Sequence, residues 1–167
     1  MDINSNVADA EFESAKIEGV VIKYLKTFHD ERGFFREIIR VNDSFFEEGF
    51  GQWSHAVMHT GTAKAWHVHR EQVDWWYVFG GVLKVALFDR RKGSSTEGKM
   101  MRFLMGDEQR AVCVKIPPGV AHGCRCLSGP ANLFYVTSNV YNPDDEGRIR
   151  HDDPDIGYDW ESWPEIT

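Results

Sequence analysis

What the sequence lacks narrows it first. It has no Lys/Arg cluster longer than Arg90-Arg91-Lys92 and carries a formal net charge of -7. That argues against a nucleic-acid backbone as partner, because such partners are held on basic surfaces. A few local Arg or Lys residues still suffice for one phosphate-bearing small molecule. No stretch is apolar enough to cross a membrane, since the richest, Trp75 to Phe88, contains Gly80, Gly81 and Lys84. The opening MDINSNVADAEFES has neither a basic n-region nor an apolar h-region, so no secretory signal is expected. Cysteine is scarce, and Cys113, Cys124 and Cys126 form an odd set without zinc-like spacing. They read as small buried residues of a reduced, cytoplasmic protein. Internal repeats and sustained helical periodicity are absent too.

What is present points to strands. The 167 residues suit one well-buried core rather than two, with 42% hydrophobic and 27% charged residues. Aromatics make up 13% and sit in short runs with Val and Ile, a β-type composition. Residues 1–15 read as a loose arm and 16–167 as one domain. Strands are expected over Lys16–Phe28, Phe34–Val41, Gln52–His59, Lys64–His69, Asp74–Phe79, Val82–Phe88, Met100–Met105, Ala111–Ile116, His122–Leu127 and Leu133–Val140. A turn at His29–Gly33 separates the first two, Ser44 is a candidate cap for a short helical turn or loop, and from Tyr141 the sequence is Asp- and Pro-rich. Many short strands at regular spacing imply an all-β sandwich or barrel, with the jelly roll as its compact form.

The segment Gly61–Gly81, GTAKAWHVHREQVDWWYVFGG, carries most of the chemistry. On a strand, His67 and His69 share one face while Trp66 and Val68 share the other. A third histidine follows in Pro117-Pro118-Gly119-Val120-Ala121-His122. The spacing G-x5-H-x-H-x4-D-x6-G, followed by P-x-G-x2-H, resembles the two motifs of the cupin superfamily, whose metal-binding members use histidines and a glutamate. A metal-dependent cupin enzyme (a dioxygenase or isomerase) using His67, His69, Asp74 and His122 is therefore one reading. Asp74 is a shorter carboxylate than the glutamate of those cupins.

A longer resemblance begins earlier. Asp30-Glu31-Arg32-Gly33-Phe34-Phe35-Arg36-Glu37 resembles the D-x-R-G-x-F-x-E signature of the dTDP-4-dehydrorhamnose 3,5-epimerase family, a branch of the cupin fold. The match continues in order through Gln52, Gly61, Lys64-Ala65-Trp66-His67, Asp89-Arg90-Arg91, Ile116 to Gly123, Phe134-Tyr135, Tyr141-Asn142-Pro143, Glu146-Gly147 and His151 to Pro154, ending at Asp159-Trp160. Several motifs in fixed order are more specific than any one alone. The resemblance implies a cupin-type jelly-roll barrel and an epimerase of deoxysugar and polysaccharide biosynthesis. Its substrate would be a dTDP-4-keto-6-deoxyhexose, inverted at C3, or at C3 and C5. It implies His67 as catalytic base and Tyr135 as acid, with Arg32, Phe35, Glu37, Gln52, Ser54, Lys64, His122, Tyr141 and Glu146 as substrate-binding residues. It also implies a homodimer whose N-terminal strands cross to the partner, and it implies no cofactor and no metal.

The departures from that pattern are specific. Ser54 stands for Asn, Lys64 for Arg and His69 for the Gln of H-x-Q, while the family's Lys shortly after the catalytic histidine is missing, the local sequence being Asp74-Trp75-Trp76. The family's carboxylate partner of the catalytic histidine falls in a C-terminal segment that this sequence does not contain. Asp74, Asp152, Asp153 and Asp155 are the candidates to replace it. An inactive sugar-binding cupin is the remaining alternative. The reaction itself suits the residues. Inverting a carbon beside a ketone needs a base on one face and an acid on the other, and histidine and tyrosine supply these near neutral pH.

Overall fold

The computed structural model describes residues 17–107, 109 and 111–162. The expected arm at 1–15 lies outside them. Among them are β1 (Val21–Tyr24), β2 (Thr27–Asp30), β3 (Gly33–Arg36), β4 (Gln52–Met58), β5 (Ala63–His69), β6 (Asp74–Phe79), β7 (Val82–Asp89) and β8 (Met100–Met105). β9 (Val112–Ile116), β10 (Val120–Ser128), β11 (Ala131–Thr137) and β12 (Glu146–Arg148) follow. Two five-stranded antiparallel sheets form, ordered β1-β9-β6-β11-β4 and β12-β5-β10-β7-β8, and among the described residues β2 pairs only with β3. This is the all-β jelly roll expected from the sequence.

Alternation of side chains builds it. On β7, Leu83, Val85 and Leu87 enter the core between the sheets with Phe103, Val114 and Cys124, while Ala86 joins an outer cluster with Trp66, Ala121, Ile156 and Trp160. The opposite sheet has its own outer cluster of Leu25, Phe45, Phe46, Val73, Trp75 and Cys113. All three cysteines are free and buried, as their scarcity suggested. Burial holds the Cys113 and Cys124 thiols up at about 12, so neither is a nucleophile at neutral pH. Both glycines that bracket the histidine segment turn the chain at positive φ, 85° at Gly61 and 110° at Gly81. A side chain at Gly81 would also meet the Ser128 carbonyl oxygen at 2.5 Å.

Three expectations change. The first expected strand divides at Leu25-Lys26, because Val21–Tyr24 pairs with β9 whereas Thr27–Asp30 leaves the sheet to pair with β3. β3 stops at Arg36, since Ile38 and Ile39 pack on the outer aromatic cluster instead of continuing a ladder. Asp43, not Ser44, precedes the short 3-10 turn, and no side chain caps it; the Asp43 carboxylate instead accepts from Lys23 Nζ at 2.5 Å and from the Arg40 amide at 2.8 Å. β12 was not expected. Glu146-Gly147-Arg148 has no apolar alternation and becomes a strand by pairing with His69, Val68 and His67 of β5.

Candidate active site

Between the sheets lies a cavity of about 400 Å³. Its two walls follow from register. On β11, Thr137, Tyr135 and Leu133 stand opposite Gln52, Ser54 and Ala56 of β4 on one side and Asp74, Trp76 and Val78 of β6 on the other. From the facing sheet come His67 and His69 on β5, His122 and Cys124 on β10, and Glu146 and Arg148 on β12.

His67 Nδ1 lies 2.9 Å from Glu146 Oε1. A carboxylate only accepts, so Nδ1 carries the hydrogen and Nε2 keeps the lone pair. Among the described residues no hydrogen bond reaches Nε2, and the ring lines the cavity. Tyr135 lines it from the opposite sheet, with no hydrogen bond to its hydroxyl among the described residues. The base candidate and the acid candidate thus stand on opposite walls. None of the carboxylates named from sequence partners His67. Asp74 faces the other two histidines, Asp152 pairs with Arg150 on the surface, and Asp153 accepts from the Asp155 and Ile156 amides. Glu146, expected only to bind substrate, is the residue in that position.

The inner end of the cavity holds the other histidines. His122 Nδ1 sits 3.0 Å from the Val120 carbonyl, and its Nε2 is 3.7 Å from Asp74 Oδ2. Burial pushes the His122 imidazole down to about 4, only partly offset by the Asp74 charge, so it is neutral at physiological pH. His69 Nε2 is 3.9 Å from Asp74 Oδ1 and 3.3 Å from Gln72 Nε2. Asp74 itself accepts from Gln72 Nε2 at 2.8 Å and Trp76 Nε1 at 3.2 Å. Asp145 closes the β5–β6 turn by accepting from the Arg70, Glu71 and Gln72 amides.

The structure also separates the expected binding residues. Gln52, Lys64, His122, Tyr141 and Glu146 line the cavity together with the two expected catalytic residues. Ser54 stands beside Tyr135 in register and accepts from Gln52 Nε2 at 2.8 Å, and the Gln52 carbonyl oxygen accepts from the Tyr141 amide. Arg32 and Phe35 do not reach the cavity of their own chain. They sit on the β2–β3 hairpin with Arg32 paired to Asp30, and Glu37 follows the hairpin near Arg40. Arg148, Gln72, Trp76 and Thr137 line the cavity and were missed. Arg148 was legible in principle, being two residues from Glu146 and so on the same strand face.

The profile of the dTDP-4-dehydrorhamnose 3,5-epimerase family matches residues 14–167. The chain belongs to this family. Among its relatives, the spore coat polysaccharide biosynthesis protein SpsL of Bacillus subtilis is 42% identical over 147 residues, covering 86% of this chain and 96% of that protein. The dTDP-4-dehydrorhamnose 3,5-epimerase of Methanothermobacter thermautotrophicus is 32% identical over 162 residues, covering 92% and 85%. The crystal structure of dTDP-6-deoxy-D-glucose-3,5-epimerase from Legionella pneumophila, in complex with dTDP-4-keto-L-rhamnose, superposes with a TM-score of 0.79 at 27% identity, covering 92% and 84% of the two chains. His69 and Asp74 stand together at the inner end of this cavity.

Proposed function

We propose that this chain is a nucleotide-sugar epimerase acting on a dTDP-4-keto-6-deoxyhexose at C3, or at C3 and C5, in deoxysugar and polysaccharide biosynthesis. The observation that carries the reading is the His67–Glu146 pair facing Tyr135 across the cavity. His67 Nε2 takes the proton beside the ketone, Glu146 stabilises the resulting imidazolium, and Tyr135 delivers a proton to the other face of the enolate. Two carbons flank one ketone, so one site can serve both. Lys64 and Arg148, both exposed at the cavity lining, suit a diphosphate, and Gln52 and Tyr141 suit the nucleotide end.

The same reading includes a homodimer, working in the cytoplasm. A two-stranded hairpin is at best marginal alone in water, yet among the described residues β2–β3 pairs with nothing else and exposes Phe28, Phe34 and Phe35 at 49%, 52% and 63%. A second copy gives those rings a surface to cover and brings Arg32, Phe35 and Glu37 to its neighbour's cavity.

Isotope exchange tests the chemistry. In heavy water the wild-type protein should wash deuterium into C3, and into C5 if both centres react, of dTDP-4-keto-6-deoxyglucose. His67→Asn should abolish wash-in, because no enolate forms without the base. Tyr135→Phe should lower inversion sharply while exchange persists, since His67 can return a deuteron to the face it deprotonated. Wild-type protein that exchanges nothing on several dTDP-ketosugars, with or without added metal, overturns the assignment and leaves the sugar-binding alternative.

A further inference from the structure

We propose that His69, Asp74 and His122 form a site for one divalent transition-metal ion at the inner end of the cavity, distinct from the His67–Glu146 pair. One donor atom from each of the three residues lies within 4.8 Å of the other two. Hydrogen bonding fixes what those atoms are. His122 Nδ1 faces a carbonyl that can only accept, so the neutral ring presents the Nε2 lone pair to Asp74. His69 Nε2 lies 3.3 Å from the Gln72 amide nitrogen, a donor, so its lone pair accepts from Gln72 and is released to an ion when that amide turns aside, while the buried His69 Nδ1 has no hydrogen-bond partner among the described residues. Two imidazole lone pairs and a carboxylate therefore converge on one buried point.

No direct hydrogen bond joins either histidine to Asp74. The histidine–aspartate separations of 3.7 and 3.9 Å are longer than hydrogen bonds. Gln72 donates to both Asp74 and His69, Trp76 donates to Asp74, and no described donor reaches His122 Nε2. An ion with bonds of about 2.0–2.2 Å to nitrogen and oxygen closes this gap after a small inward swing of the side chains. The surroundings also suit ligands. The second nitrogen of His122 donates to the Val120 carbonyl, and the Asp74 carboxylate is held by two donors. Two nitrogens and one oxygen suit Zn, Ni, Fe or Mn.

His67 is not part of the set, because its Nδ1 is committed to Glu146 and its ring centre is 6.2 Å from that of His122. The site thus differs from the four-residue arrangement considered from sequence, and it departs from the metal-free expectation. It also joins two places where the sequence departs from the family resemblance: His69 stands for the Gln, and Asp74 opens the Asp74-Trp75-Trp76 stretch in which the Lys is missing. Three protein ligands leave positions open toward the cavity. If the epimerase reading holds, an ion there places positive charge beside the developing enolate oxygen, where that Lys is missing. The binding site itself does not rest on that reading.

The test titrates chelator-stripped full-length protein with Co²⁺ and follows its visible d–d absorption, with Zn²⁺ as competitor. One equivalent per chain is expected. Asp74→Asn and His69→Gln should each weaken uptake about 100-fold or more, and His67→Asn should leave it within about threefold. Circular dichroism of each variant keeps a misfolded protein from being counted as a lost ligand. Absence of stoichiometric uptake at micromolar Co²⁺, or uptake indifferent to both Asp74→Asn and His69→Gln, overturns the site. Uptake lost equally in His67→Asn would return the ion to the His67-containing set and overturn this assignment. Deuterium wash-in by the same samples is read separately: uptake without wash-in leaves the ion site standing and removes the epimerase.

Discussion

The β4–β11–β6 sheet has two faces of opposite character. Residues one apart on the same strands divide between them. Tyr135, Trp76 and Gln52 look into the cavity, whereas Phe134, Tyr77 and Trp53 look out. The inner face is polar where it meets the histidines. The outer face is an aromatic ladder: Phe134 packs on His55 at 4.3 Å, Phe79 at 5.0 Å and Trp53 at 5.6 Å between ring centres. It borders an apolar groove of about 550 Å³ with Trp53 65% exposed. Inner polar groups have partners or a cavity to serve, while among the described residues the outer rings lack a full cover. The contrast assigns the inner face to the proposed chemistry and makes the outer face the place to test the proposed dimer.

The largest break in that contrast should come from Glu146→Gln on the cavity side. A neutral amide neither selects the Nδ1–H tautomer of His67 nor stabilises its imidazolium. Wash-in and inversion should fall roughly 10²–10⁴-fold, the scale reached when a catalytic histidine loses its orienting carboxylate. Affinity for dTDP and dimerisation should hold, and the ¹⁵N spectrum of His67 should report a changed tautomer ratio. A large loss of dTDP affinity with kcat intact would instead make Glu146 a binding residue.

Phe134→Asp probes the other face. A charge placed in the aromatic ladder should weaken self-association by about 2 kcal/mol or more, while circular dichroism stays that of the wild type. Sedimentation velocity reads the shift from dimer to monomer. A wild-type protein that sediments as a monomer at micromolar concentration removes the outer face as an interface.

Arg32→Ala joins the two sides and should have the smallest effect. Arg32 is 83% exposed and pairs only with Asp30 among the described residues, so the fold should lose little. If the hairpin serves a neighbour's cavity, calorimetry should show dTDP binding weaker by about 1–3 kcal/mol, the loss of a hydrogen bond to a charged group. Mixing Arg32→Ala with His67→Asn sharpens the point: one class of site in the mixed dimer would then carry both intact residues and recover activity. No recovery, or unchanged dTDP binding, would make the hairpin signature structural.

The sequence by itself determined the strand class, most strand positions and the three inward histidines. Those features depend on local rules: alternation puts His67 and His69 on one face, and glycines at Gly61 and Gly81 allow the positive-φ turns that end the segment. Only the tertiary structure decided which carboxylate serves which histidine. Glu146 lies 79 residues from His67 and reaches it through a three-residue strand with no pattern of its own. Asp74, a candidate for His67 from proximity in sequence, is carried by β6 to the opposite wall and meets His69 and His122 instead. A hydrogen bond is decided over tenths of an ångström, and that placement is set by the register of strands distant in the chain.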